Sequence, residues 1–249
     1  MIAVEKRELV GRTYEEDDDE GLGAPIVKHF DVKFETGAVP AVETLLVGLD
    51  IVSLAFVPVF TEAFNFQAIG VVSANDEVYH RLLYGVDSKV LFLVHVKSVD
   101  SDDATSWLKA IMNISPRFVV GLGSLSTSQF FGRREAEYFL RHLISAPSSS
   151  KWSQFDNTLQ KIRSLEPGNV VTGVAAAILS YCEAREVPSV LLLTVTSASL
   201  SLGSIKVFEQ VWPFFERLGS GSVRKCTNKE YSLAIKANTF VSTTENMYC

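Results

Sequence analysis

Clustered positive charge and long uninterrupted apolar runs are both missing from this sequence. The 249 residues carry 23 Lys and Arg against 29 Asp and Glu, a net charge of −6, and the basic residues form no stripe. Nucleic acids and acidic membranes both select clustered cations, so neither is expected as a partner. The longest apolar stretch, residues 45–60, is interrupted by Asp50 and Pro58 and is too short to span a bilayer.

Cysteines are few and scattered. Cys182, Cys226 and Cys249 are odd in number and far apart, which fits neither a disulfide framework nor the close spacing of a zinc site. Such usage is typical of a reducing compartment. The first twelve residues mix charged and apolar side chains and lack the apolar core of a signal peptide. We therefore expect a cytoplasmic protein that can also enter the nucleus.

Motifs of nucleotide sites and of common catalytic sites are missing as well. The nearest approach to the fingerprint G-x-G-x-x-G is GLGSLS at residues 121–126, where Ser126 replaces the third glycine. Neither a P-loop nor a G-x-S-x-G elbow occurs. The four histidines stand alone, and metal-ligand spacing is absent. His95 ends a predicted strand, where α/β enzymes keep functional groups, but a structural histidine is the commoner case. We expect no catalytic residue, cofactor or metal.

Composition divides the chain into three segments. Residues 1–43 contain the run EEDDDE at 15–20. Because six like charges cannot pack together, we expect an acidic, partly disordered segment that is a solvated loop or tail. The alternative is an acidic segment that attracts a basic partner. Within this segment, residues 26–34 suit an added edge strand. Residues 44–238 are predicted to form a single α/β domain, and residues 239–249 a flexible tail.

The predicted domain alternates short apolar runs with helical patterns. Near-continuous Val, Leu, Ile and Phe runs predict strands at 44–49, 67–72, 89–95, 117–122 and 189–195. Apolar residues at helical spacing predict helices at 102–114, 134–144, 172–185 and 204–218, the last with a kink at Pro213, and a capping box predicts another at 227–238. This alternation predicts a Rossmann-like three-layer α/β sandwich with a mostly parallel sheet.

The last three residues are Met247, Tyr248 and Cys249. An apolar residue, a tyrosine and a free carboxylate after a polar stretch resemble the hydrophobic–Tyr–X ending of proteins that plug pockets on the proteasome α-ring. The carboxylate offers a charge to a lysine, and the tyrosine supplies a rigid amphipathic ring. Seven tyrosines in 249 residues and 47% apolar residues give this ending about a 1% probability by chance.

Three internal segments carry a second resemblance. They are EPGNVV at 166–171, AAAILSYC at 175–182 and VPSVLL at 187–192. They resemble the proteasome assembly chaperone family, in which such a loop leads to a helix like AAxLSYC and then to a strand. The short strand and helix at 45–60 look similar too. The match is good over 166–249, moderate over 44–75 and poor over 76–165.

The resemblance implies a non-enzymatic chaperone on a fold like that of nucleoside phosphorylases. It implies a heterodimer with proteasome assembly chaperone 2 that holds α subunits while the α-ring forms and blocks early docking of regulatory particles. The family's tail function carries over to Met247, Tyr248 and Cys249, although Cys249 departs from the polar residue expected last. Two alternatives stay open: a nucleoside-like small-molecule binding protein or enzyme on the same fold, and a stable proteasome cap or adaptor.

Overall fold

Eight strands form one mixed sheet in the part of the chain that the computed structural model describes, which is residues 28–54, 57–134, 136–145, 159, 161–196, 201–218 and 232. The strands are β1 Asp31–Phe34, β2 Thr44–Gly48, β3 Gln67–Ala74, β4 Glu77–Gly85, β5 Val90–His95, β6 Phe118–Ser126, β7 Phe139–Ile144 and β8 Ser189–Thr196. The helices are α1 Ile51–Leu54, α2 Val57–Phe64, α3 Ala104–Met112, α4 Gly173–Ala184, α5 Leu202–Lys206 and α6 Trp212–Leu218. None of these helices is long and apolar enough to cross a bilayer.

The sheet runs in the order β1-β3-β4-β5-β2-β6-β8-β7. Four consecutive strands, β5, β2, β6 and β8, are parallel, and the other neighbours pair antiparallel. Four antiparallel pairs thus outnumber three parallel ones, so the prediction of a mostly parallel sheet is wrong. One reason is the turn between β3 and β4, where Asn75 and Asp76 have φ of 49° and 64°. A two-residue connection of this kind can only join antiparallel strands.

Side chains of the central strands alternate between two apolar layers, as the period of a strand requires. Leu46 of β2 faces a layer formed by α2, α5, α6 and the residues between them, with Phe60 and Phe215 at a ring distance of 4.8 Å. Leu45 faces the opposite layer, where α3 and α4 bring Trp107 and Ile178. Helices therefore cover both faces, which confirms the three-layer sandwich. Burying one such large side chain contributes roughly 1.5–3 kcal/mol.

The helix predicted at 134–144 is wrong, because Phe139–Ile144 is strand β7 at the edge of the sheet. The apolar residues Phe139, Leu140 and Leu143 have helical spacing, but the strand is packed on both faces, so strict alternation is not needed. Arg141, only 1% exposed, points into the protein and is held by Glu166. Tertiary contacts override the local pattern here.

The other predicted elements within the described residues are found, with adjusted bounds. All five predicted strands exist as β2, β3, β5, β6 and β8, and the helices predicted at 102–114 and 172–185 are α3 and α4. The helix at 204–218 is interrupted by a 3-10 stretch, Val207–Val211. The break thus precedes Pro213, which lies in the first turn of α6, where its missing N–H costs little. The helix predicted at 227–238 lies outside the described residues.

The edge strand expected at 26–34 is confirmed as β1, which pairs with β3 from Asp31 opposite Ser73 to Phe34 opposite Gly70. Just before it, the Lys28 ammonium lies 3.0 Å from Asp100 and 2.9 Å from Asp103. Asp103 also accepts the Lys28 backbone N–H at 3.2 Å. These contacts fasten the chain entering β1 to the start of α3.

Candidate functional site

The predicted partner-binding residues Met247, Tyr248 and Cys249 lie outside the described residues, as does the acidic run at 15–20. The role of the tail therefore stays a prediction. The described residues instead point to another surface, at the carboxyl ends of the parallel strands. In an α/β sheet, this edge is where ligands and partners are usually met.

A cavity of about 630 Å³ opens at this edge. It lies where the chain leaves β2 through Leu49 and Asp50 and where β6 passes through Gly123 and Ser124. Its wall is mainly apolar, with hydroxyl and amide side chains between, and Asp50 is the one charged residue among the described residues that line it. The apolar wall includes Leu49, Val99, Leu125, Val171, Val174 and Leu193. A cavity of this size falls in the range of small-molecule sites and can equally accept a protein side chain.

Asp50 holds the end of β2 to the end of β6. Its Oδ2 accepts the Ser124 N–H at 2.6 Å and the Ser124 hydroxyl at 2.7 Å, and its Oδ1 accepts the Val52 N–H at 2.9 Å. Burial raises the pKa of Asp50, and the hydrogen bonds from Ser124 act in the opposite direction. The carboxylate thus starts α1 and joins two strands, so most of its hydrogen-bonding capacity is used within the protein.

The two glycines of GLGSLS lie inside β6 rather than in a phosphate-binding loop. A Cβ on Gly123 would sit 3.1 Å from the Cβ of Leu49 and 3.3 Å from the Oδ2 of Asp50, and a Cβ on Gly121 would overlap the side chain of Leu191. The space beside these glycines is therefore filled by side chains of this protein. Close packing, rather than approach to a phosphate, explains why glycine stands at both positions.

The rim of the cavity carries two exposed apolar side chains, Phe131 at 66% and Val170 at 69% exposure. They are the two most exposed large apolar residues among those described. Asn169 ties their two loops together: its Oδ1 accepts the Phe131 N–H at 2.8 Å, and its Nδ2 donates to the Phe131 carbonyl at 2.8 Å. The Asn169 side chain thus forms the same two hydrogen bonds with Phe131 that the backbone of a neighbouring strand would form.

An ion pair between Arg141 and Glu166 also holds the loop at residues 166–171 in place. The Arg141 Nη2 donates to Glu166 Oε1 at 2.9 Å, and Nε lies 3.1 Å from both carboxylate oxygens. The guanidinium also stacks on Phe139, 4.5 Å from the ring centroid. Burial alone would raise the pKa of Glu166, but the hydrogen bonds and charge of Arg141 outweigh it, so the pKa lies below its usual value. The segment EPGNVV is therefore held at both Glu166 and Asn169.

Two of the histidines do not stand alone, contrary to the interpretation of the sequence. His80 in β4 lies opposite His95 in β5, with ring centroids 6.0 Å apart. The Trp107 Nε1 donates to His80 Nδ1 at 3.3 Å. Burial, with the charge of His95 as a smaller cause, lowers the pKa of His80 to about 3. His80 is a neutral core residue at neutral pH.

The remaining reactive side chains in the described part of the chain are not arranged as a catalytic or metal site. Cys182 is buried in α4, and burial raises its pKa to about 11, as is typical of an inert structural thiol. His29 is exposed beside Asp31 at 3.5 Å. Within the described ranges, no three His, Cys, Asp or Glu side chains gather as metal ligands would.

Sequence reasoning missed Asp50, Arg141 and the exposed pair Phe131 and Val170. Asp50 had a usable signal, because a polar residue directly after a buried parallel strand points to the ligand-bearing edge of the sheet. Arg141 had none, since its partner Glu166 lies 25 residues away. The segment EPGNVV was noticed only through its resemblance to the chaperone family.

No protein-family model and no curated protein matches the sequence. Solved structures do match. Pyrococcus furiosus PbaB, an archaeal proteasome activator, is 10% identical with a TM-score of 0.61, over 88% of this chain and 99% of its own. Pyrococcus furiosus PbaA, an archaeal homolog of proteasome-assembly chaperone, is 11% identical with a TM-score of 0.60, over 89% and 92%. A Thermoplasma acidophilum protein of unknown function is 13% identical with a TM-score of 0.61, over 84% and 88%.

The chain therefore has the α/β fold of a group of structures that includes a proteasome-assembly chaperone homolog. At 10–13% identity, this likeness establishes the fold. The matches cover 84–89% of this chain.

Proposed function

We propose that this chain is an assembly chaperone of the proteasome core particle, of the same kind as proteasome assembly chaperone 1. The observation that carries the proposal is the fold shared with PbaA and PbaB over 88–89% of the chain. The segments that resemble the chaperone family in sequence, residues 166–192, support it independently. They form the fastened loop at the cavity rim, helix α4 and the start of β8.

The proposed chaperone acts through protein contact rather than catalysis. It forms a heterodimer with proteasome assembly chaperone 2, and the pair holds α subunits while the α-ring forms. The tail residues Met247, Tyr248 and Cys249 enter an α-subunit pocket and so block premature docking of activators. This work takes place in the cytoplasm and the nucleus.

The tail is the part most directly open to experiment. Tyr248→Ala removes the ring, and one extra residue after Cys249 moves the carboxylate; in a full-length heterodimer both should weaken binding to purified α-ring intermediates on native gels. Loss of one partner of a desolvated charge pair costs roughly 2–5 kcal/mol, part of which is hidden because the chaperone body stays attached.

A matched control is Thr244→Ala, three residues before the tripeptide, which should bind like the unaltered chain. All variants should melt at the same temperature, because the change lies beyond the domain. Unaltered binding by both tail variants would rule out the tail mechanism. Recovery of the chain on mature particles as readily as on immature rings would favour a stable cap or adaptor instead.

The cavity beside Asp50 favours a second candidate, a small-molecule binding protein on the same fold. Its volume of about 630 Å³ and mixed lining suit a nucleoside-sized ligand. Calorimetry with ATP, NAD and purine nucleosides tests this candidate directly. A dissociation constant below about 100 μM, roughly 5.5 kcal/mol of binding free energy, would support it over the chaperone.

A further inference from the structure

Strand β1 forms one edge of the sheet, and among the described residues it pairs with β3 alone. Glu35, which follows β1, donates its N–H to the Ile69 carbonyl at 2.8 Å. By the alternation of an antiparallel ladder, the odd-numbered residues of β1 bond to β3. The N–H and C=O of Val32 and the N–H of Phe34 therefore point away from β3. A row of such backbone groups is a template for a further strand.

Space for a further strand lies beside this edge. A groove of about 940 Å³ is lined by residues 29–34 on one side and by α3 and the end of α4 on the other. Val39, which is 59% exposed, also lines the groove. The helices contribute Lys109 and Arg185 to its lining, so a strongly basic strand is disfavoured as the occupant.

The sequence of β1 is complementary in charge to its own reversed copy. We propose that β1 pairs with β1 of a second copy of this chain, antiparallel about a twofold axis at Val32. In this register Asp31 of each copy faces Lys33 of the other, and each Val32 donates its N–H to the Val32 carbonyl of the other copy. Opposite charges that face each other across two strands stabilise the pairing. Such an interface uses the same surface on both copies.

The residues at the two ends of β1 fit the same register. Residues 29–35 read HFDVKFE. Pairing about the central valine places His29 opposite Glu35, and it places Phe30 opposite Phe34. The segment carries two carboxylates and one lysine, so it also suits the two cations that the helices contribute to the groove.

The charges also select this register over its neighbours. A register centred on Asp31 brings the two Asp31 carboxylates together, and one centred on Lys33 brings the two ammonium groups together; like charges directly opposite are destabilising. The facing part of β3, residues 70–73, carries no charge. The Asp31 side chain is 58% exposed with His29 at 3.5 Å, and no carboxylate among the described residues lies within ion-pair distance of Lys33. Both groups are thus accessible to a second copy.

Sedimentation velocity of the full-length chain tests the proposal. The unaltered chain should form a dimer, at twice the 27.4 kDa of one chain, with a dissociation constant below about 100 μM. Because the facing charges lie at the surface, 500 mM NaCl should raise that constant several-fold.

Charge reversal tests the register. Asp31→Lys places two lysines opposite each other at both contacts, and Lys33→Asp does the same with two carboxylates. Each variant alone should dimerise about tenfold more weakly or worse. An equimolar mixture of the two variants restores opposite charges at both contacts and should form a mixed dimer as readily as the unaltered chain dimerises. Recovery in the mixture also shows that both variants are folded.

Glu43→Lys is the matched control, because it makes the same change of charge at a side chain of similar exposure, 51% against 58% for Asp31. It should dimerise like the unaltered chain. Three outcomes would overturn the proposal. The first is a monomer at about 100 μM, which is expected if residues 1–27 or a strand of a different protein cover this edge. The second is dimerisation that Asp31→Lys and Lys33→Asp leave unchanged, and the third is the absence of a mixed dimer. No proteasome subunit is used, so these results stand apart from the assembly role.

Discussion

Removing Glu166 leaves the buried cation of Arg141 without its carboxylate. We expect this change to lower the free energy of unfolding more than most single substitutions in the domain. Arg141 is 1% exposed, while the Glu166 side chain is 27% exposed. Glu166→Ala therefore leaves the guanidinium without its carboxylate in a site that water barely reaches. Loss of one partner of such a pair costs about 3–5 kcal/mol, because the remaining charge is desolvated and uncompensated.

The reverse change should cost less. Arg141→Met removes the cation, and the Glu166 carboxylate left behind is exposed enough to be hydrated. The double variant Arg141→Met/Glu166→Ala should then lie close to Arg141→Met alone, which yields a favourable coupling energy in a double-mutant cycle. The asymmetry between the two single variants follows from burial, since both break the same ion pair.

Urea unfolding followed by circular dichroism measures these differences, provided that the slope with urea stays unchanged among variants. The exposed pair of Lys97 and Glu77 is the control: it is shorter, at 2.6 Å, but its side chains are 47% and 52% exposed. Glu77→Ala should move the urea midpoint little. If Glu77→Ala and Glu166→Ala shift it equally, then contact distance rather than burial governs the effect, and the reasoning is refuted.

Two further predictions rest on the described residues, and a third rests on the proposed function. The pKa of His80 is about 3 in the folded state and about 6.5 in the unfolded state. Because the unfolded state binds the proton first as the pH falls, the free energy of unfolding should drop by about 1.4 kcal/mol per pH unit below pH 6.5. His80→Gln should reduce that slope, measured by urea titrations between pH 7 and 5. Gly123→Val should destabilise by about 1–3 kcal/mol through contact with Leu49 and Asp50, whereas Ser126→Val at the exposed end of the same strand should not. Expressed alone, the chain should self-associate, and co-expression with proteasome assembly chaperone 2 should restore solubility; a well-behaved monomer at micromolar concentration in sedimentation would contradict this.

The centre of the fold could be predicted from the sequence because its signal is local. The four parallel strands β2, β5, β6 and β8 are buried on both faces. Continuous apolar runs in the sequence are typical of such strands. β4 was missed although its start is marked by Asn75 and Asp76, residues that tolerate positive φ and favour a two-residue hairpin. Recognising that turn would have predicted the antiparallel half of the sheet.

The site was less predictable because its contacts join distant segments. Asn169 reaches Phe131 across 38 residues, and Arg141 reaches Glu166 across 25. A buried arginine in an apolar run looks like the polar face of a helix until its partner is known. β7 was predicted as a helix because its apolar residues have helical spacing, and the contact of Asn169 with Phe131 was not foreseen.

The bonding at the carboxyl edge of the sheet is compatible with the proposed role in protein contact. A reacting carboxylate needs an oxygen directed at its substrate, but Asp50 gives Oδ2 to two donors of Ser124 and Oδ1 to Val52. A side chain at Gly123 would meet Leu49 and Asp50, so close packing within the protein accounts for this glycine. The exposed groups at the same edge are instead Phe131 and Val170, fixed by Asn169. At this edge the Asp50 carboxylate is bonded within the protein and the exposed side chains beside the cavity are apolar, an arrangement that suits a surface that binds protein.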